Sequence, residues 1–85
     1  MGKQLLRSAT SVTANYRAAC RARSKAEFFA KLCIVVEEAD ETLLWLEMIQ
    51  ESKIGTDPLI DQLKQESKEL LYIFSASRKS AKGRE

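Results

Sequence analysis

Three glycines and one proline in 85 residues leave this chain few places where a helix can be interrupted. The remaining positions are rich in Ala, Leu, Glu, Lys, Gln and Arg, the residues that lose least on entering a helix. A chain of this kind is expected to fold as an all-α antiparallel bundle. One domain of this length sits near the lower limit for a self-sufficient core, so an apolar face left uncovered must find a partner. Hydrophobic residues make up 45% and charged residues 31%, a balance that belongs to a folded domain and is too apolar for a disordered one.

Periodicity divides the chain into three helices. The first, about residues 3–22, places Leu5, Ala9, Val12, Tyr16 and Ala19 on one stripe, with Ser8, Thr10, Ser11, Thr13, Ala14 and Ala18 as small residues that admit a close neighbour. Its Ser and Thr content makes it dependent on tertiary packing. The second, about 25–52, opens on Ser24-Lys25-Ala26-Glu27, a capping box in which the Ser hydroxyl takes the Glu27 amide proton and the carboxylate reaches back. Phe28, Leu32, Val35, Ala39, Leu43 or Thr42, Leu46 and Ile49 form its seam, while Phe29, Cys33, Val36, Leu44, Trp45 and Met48 spread apolar surface beyond what one partner helix covers. Ile54-Gly55 supplies a stop and Asp57-Pro58 a restart. The third helix, about 58–77, carries Leu59, Ile60, Leu63, Leu70, Leu71, Ile73 and Phe74, interrupted at Ser67. Residues 1–77 are thus expected to form the bundle domain, and 78–85 a basic, flexible tail.

Charge is distributed unevenly. Residues 1–25 hold Lys3, Arg7, Arg17, Arg21, Arg23 and Lys25 and no acid, for +6; residues 26–69 sum to −7, and 70–85 to +3. Basic ends therefore flank an acidic middle.

Against this background the run Gln4-Leu5-Leu6-Arg7-Ser8-Ala9-Thr10-Ser11-Val12-Thr13-Ala14-Asn15-Tyr16-Arg17-Ala18-Ala19, with Ser24-Lys25-Ala26-Glu27-Phe28 and Val36-Glu37-Glu38-Ala39-Asp40-Glu41, resembles the four-helix bundle family of 23S ribosomal RNA intervening-sequence proteins. The resemblance covers about residues 1–49, and its Arg-Ser-x-Thr-Ser-Val-x-x-Asn core is fairly specific. It implies a bundle that assembles as a homopentamer. It also brings in the accessory variability determinant of diversity-generating retroelements, which binds a reverse transcriptase and nucleic acid. Family members carry a further apolar helix ahead of the segment that begins here at Lys3. With three helices in place of four, the groove beside Leu5, Ala9 and Val12 and beside Leu32 and Leu43 is expected to be filled by another chain, completing a four-helix-type bundle by oligomerisation.

The candidate residues follow. Arg17, Arg21, Arg23 and Lys25 are expected to hold nucleic-acid phosphates, with Tyr16 free to stack on a base. Arg17, Arg21 and Lys25 would form one ridge if helical geometry continued through Arg23. A solvated basic face paired with the acidic second helix is the competing reading. Arg7 reads as a structural partner for Glu38 or Glu41, and Asn15 as a polar residue that bonds across the bundle or is simply exposed beside Tyr16. Trp45, Met48, Leu44 and Phe29 are candidates for a subunit interface, with core packing as the alternative.

The carboxylates Glu37, Glu38, Asp40 and Glu41 lack the Glu-x-x-His pattern of a di-metal site in a chain with no His, so no metal or other cofactor is expected. Cys20 and Cys33 read as free thiols. No phosphate-cradling loop and no His to activate a hydroxyl are present, so the expectation is a non-enzyme with no small-molecule substrate. No segment has the ~20 apolar residues of a membrane span, and the default location is cytoplasmic. The resemblance thus implies a homo-oligomeric helical scaffold whose basic first helix and basic tail contact RNA or a nucleic-acid-processing protein such as a reverse transcriptase. The alternative is a purely structural oligomer or protein adaptor.

Overall fold

The computed structural model describes residues 2–52 and 58–83. They form three helices, α1 (Gly2–Cys20), α2 (Lys25–Glu51) and α3 (Pro58–Gly83), and no strand. The turn expected at Ile54-Gly55 and the cap expected at Asp57 lie outside the described residues.

Helix α1 ends in a tightened turn in which Arg21 N–H and Ala22 N–H donate to the carbonyls of Ala18 (3.2 Å) and Ala19 (3.1 Å). Ser24 then takes an extended conformation (φ −148°, ψ 162°), and its hydroxyl accepts the Glu27 amide proton at 3.1 Å, the forward half of the capping box. The chain reverses there, so α2 runs antiparallel to α1. Pro58 occupies the first position of α3, where its missing N–H costs no helical hydrogen bond.

Helix α2 is the centre of the molecule. Both other helices pack on it, while no Cα of α1 comes within 8 Å of one in α3. Leu32, Val35, Val36, Ala39 and Leu46 of α2 are buried, and Phe74 of α3 joins Val35, Val36 and Ala39 in one core cluster flanked by Val12 and Leu71. The resulting body is 46 Å long and only 14 Å across its thinnest dimension.

Two features depart from the sequence reading. The seam of α1 against α2 is built on Ser8 (0% exposed) and Ala19, whereas Ala9 is half-buried and Tyr16 exposed. The stripe through Leu5, Ala9, Val12 and Tyr16 instead borders the space between α1 and α3. Second, α3 does not give way to a flexible tail at Ser77 but continues as helix to Gly83. Ala76, Ser77, Ser80 and Ala81 wall a hollow with Lys25 and Phe28 at the start of α2. Lys82, in the last turn, sits where the helix dipole favours a cation.

Candidate functional site: a basic pole and two unlike faces

Arg7 is held by both of its sequence-assigned partners. Its Nη2 donates to Glu41 Oε1 at 2.6 Å and to Glu38 Oε2 at 3.3 Å, and Trp45 Nε1–H donates to the same Glu41 oxygen at 3.2 Å. The hydrogen bond from Arg7, aided by that from Trp45, holds the Glu41 carboxyl below its ordinary 4.5. The reciprocal bonds to Glu41 and Glu38 raise the Arg7 guanidinium. Arg7 is thus occupied as a clasp between α1 and α2, and Trp45 is half-buried as part of it.

A step farther along, the fully buried Ser8 meets Thr42. Thr42 Oγ1 lies 3.0 Å from Ser8 Oγ and 2.8 Å from the Glu38 carbonyl, and Ser8 Oγ–H donates to the Leu5 carbonyl at 3.1 Å. Sequence reasoning missed this pair, although Ser8 stands at the spacing of Leu5, Val12 and Ala19 that marks a helix–helix seam. Asn15 does not bond across the bundle. It is half-buried, and its amide donates to Ser11 O (2.9 Å) and Ser11 Oγ (3.1 Å) one turn back on its own helix.

The proposed basic ridge is not a continuous helical row. Arg17 lies on α1, Arg21 and Arg23 in the reversal and Lys25 at the start of α2, because the helix stops at Cys20 to let the chain turn. All four are nevertheless exposed, and all four belong to one end of the molecule. The antiparallel order brings the far end of α3 to the same place: Lys25 shares its hollow with Ser77, Ser80 and Ala81, and the Tyr16 ring rests tilted on Phe74 at a centroid distance of 5.4 Å. Arg78, Lys79 and Lys82 therefore join Arg17, Arg21, Arg23 and Lys25, and Glu27 is the one acid in the segments 16–31 and 74–83 that meet there. This convergence depends on the helical turns of α3 beyond Ser77, which carry Arg78, Lys79 and Lys82. Tyr16 is 46% exposed but engaged with Phe74, and the neighbouring Cys20 thiol raises its pKa. It is not a free stacking platform.

Between α1 and α3 runs an open groove of about 350 Å³, floored by Ala39, Thr42 and Leu46 and walled by Leu5, Ala9 and Val12 on one side and Leu63, Leu70 and Phe74 on the other. The vacancy expected beside Leu5, Ala9 and Val12 is present. Its other wall is α3, because Leu32 is only 1% exposed in the core and Leu43 is half-buried. Of the candidate interface residues, Leu44 (51%) and Met48 (41%) are exposed, while Phe29 and Trp45 are half-buried. Ile34 (37%) is a further exposed residue of α2 that the sequence reading left out.

Among the described residues no His, Cys, Asp or Glu group is arranged to hold a metal ion, and Cys20 and Cys33 are free thiols. No described helix is long and apolar enough to cross a membrane.

Helices packed antiparallel on a central one, with a polar clasp between the first two, define a small helical-bundle protein. The chain belongs to the 23S rRNA-intervening sequence protein family, whose sequence profile matches residues 1–76. It is also similar to a crystallised protein of unknown function from the S23 ribosomal protein family of Bacteroides thetaiotaomicron, at 38% identity and a TM-score of 0.85. That likeness covers 91% of this chain and 71% of the other. Among curated proteins none matches significantly.

Proposed function

We propose that this protein is a non-enzymatic, homo-oligomeric helical scaffold that binds RNA through the basic pole. The observation that carries the reading is the convergence of Arg17, Arg21, Arg23 and Lys25 with Arg78, Lys79 and Lys82, two stretches far apart in sequence that the fold gathers at one end with a single nearby acid. The acids of α2 and α3, from Glu37 to Glu69, occupy the rest of the rod, so the molecule is polarised along its length. A polyanion is drawn to the pole and repelled by the opposite end. With Tyr16 held against Phe74, recognition rests on phosphates rather than on stacked bases, and affinity is governed by counterion release. The family's association with a ribosomal RNA sequence favours RNA as the polyanion.

The test is a fluorescence-anisotropy titration of a structured RNA at low and moderate salt, with two charge-reversal variants, Arg17→Glu/Arg21→Glu/Arg23→Glu and Arg78→Glu/Lys79→Glu/Lys82→Glu. With about four phosphates neutralised, affinity should fall about 100-fold between roughly 50 and 200 mM salt. Both variants should lose binding while keeping wild-type helicity. Absence of binding at low salt, or binding indifferent to both variants, would refute the reading and favour a protein adaptor whose basic pole is merely solvated.

A further inference from the structure

The basic pole holds phosphates and has no free aromatic face. A row of residues leading away from it along α3 supplies one. Lys64, Lys68, Tyr72, Ser75, Lys79 and Lys82 follow one another at steps of four and three, the spacing that keeps side chains on one flank of a helix. At 1.5 Å per residue the row is about 27 Å long, and it enters the pole through Lys79 and Lys82. Lys68, Lys79 and Lys82 are exposed. The ion pairs among the described residues are those of Arg7, so none of these three lysines is paired with an acid. The acids of α3 are placed otherwise. Asp61, at the head of the row, is bonded to Gln50, and Glu66 and Glu69 lie off it, each accepting a hydrogen bond at 3.4 Å from Gln62 or Gln65 one turn back.

Tyr72 stands in the middle of this row and is 76% exposed, against 46% for Tyr16. Tyr16 is engaged with Phe74, whereas among the described residues no ring lies against Tyr72. A long side chain on a helix leans toward the N-terminus, and Tyr72 borders a shallow hollow with Gln65, Lys68, Glu69 and Ile73. On its other side Ser75 and Ala76 are too small to cover the ring. An open aromatic between cations spaced along a track suits single-stranded nucleic acid, which puts its phosphates on the cations and a base on the ring. A duplex presents phosphates but keeps its base faces inside the stack. We propose that Tyr72 is a base-stacking residue: an unpaired stretch of RNA lays its phosphates along Lys68, Lys79 and Lys82 and sets one base on the Tyr72 ring. This rests on the RNA-binding reading above and specifies that the RNA is unpaired where it crosses α3.

The test titrates the full chain into an oligoribonucleotide of about ten nucleotides, single-stranded or annealed to its complement, with a fluorescent adenine analogue at its centre whose emission falls on stacking. Anisotropy reads affinity and emission reads stacking, for the wild type, Tyr72→Ala and Tyr72→Phe, with circular dichroism to verify helicity. The wild type should quench the single strand. Tyr72→Ala should bind it at least about 5-fold more weakly and lose the quench. Its duplex affinity and its salt slope should stay as in the wild type, because the ring carries no charge. Tyr72→Phe, which keeps the ring, should retain both affinity and quench. A wild type that binds neither RNA overturns the RNA-binding reading and this inference together. Wild-type binding without quenching of the single strand, a Tyr72→Ala protein that binds and quenches as the wild type does, equal losses on single strand and duplex, or a Tyr72→Phe protein that behaves like Tyr72→Ala would each overturn the stacking role alone.

Discussion

Enlarging Ser8 should separate α1 from α2 at their closest approach. Ser8 is 0% exposed, with Thr42 Oγ1 at 3.0 Å and the Leu5 carbonyl at 3.1 Å, so no space exists for a larger side chain. Ser8→Leu puts an isobutyl group where a hydroxymethyl sat. Overpacking of a filled seam costs about 1–3 kcal/mol, and loss of the hydroxyl's hydrogen bond adds about 1 kcal/mol. Ser8→Ala isolates the second effect: Thr42 keeps the Glu38 carbonyl as its acceptor, so no buried donor is orphaned and the cost stays near 1 kcal/mol. For a domain of this size each kcal/mol moves the melting temperature by roughly 4–8 °C. Thermal melts followed by circular dichroism, at one fixed protein concentration, should place Ser8→Ala about 4–8 °C below wild type and Ser8→Leu about 10–25 °C below. A Ser8→Leu protein that melts within a few degrees of wild type would show that α1 does not approach α2 this closely.

Two further perturbations test the bundle. The Glu41 carboxyl is held below 4.5 in the folded chain by Arg7 and Trp45, so its contribution to stability is complete above that pH and is lost as the pH falls through the lower folded value. Glu41→Gln should flatten this acid limb in urea melts between pH 5 and pH 2, and an unchanged limb would assign it to other carboxylates. Leu32→Ala, at a site 1% exposed on the central helix, should lose about 2–5 kcal/mol in urea unfolding, and a loss below about 1 kcal/mol would remove Leu32 from the core.

The parts of this structure that the sequence made legible are those decided locally or by strong patterning. The Ser24 cap, the uninterrupted α2 and the start of α3 at Pro58 follow from residue types at fixed spacing. The pairing of Arg7 with Glu38 and Glu41 was readable because Arg7 stands close to the apolar stripe of its helix, inside the motif that carries the family resemblance. What remained hidden depended on geometry between helices. Small residues such as Ser8 carry almost no hydropathy signal, so the seam they build was displaced by the more apolar positions that line the groove. Asn15 had a backbone-proximal partner in Ser11 that competes well with any cross-bundle bond. The last turns of α3 looked like tail because Ser, Ala, Arg and Lys show no apolar face. In the structure they continue the helix to Gly83 beside the start of α2, and with them the basic pole gains its second half.

The position of α2 between two helices whose backbones stay apart also shapes how the chain folds. Among the described residues the close backbone approaches between helices join consecutive ones, α1 to α2 and α2 to α3. The conformational search therefore reduces to closing two hairpins that share one arm, a topology dominated by short sequence separations and associated with rapid folding. The hairpins are also delivered in order. During synthesis, α1 and α2 with their Arg7 and Ser8 contacts are complete before α3 has been made, so a half-built chain already possesses the surface on which its last helix docks.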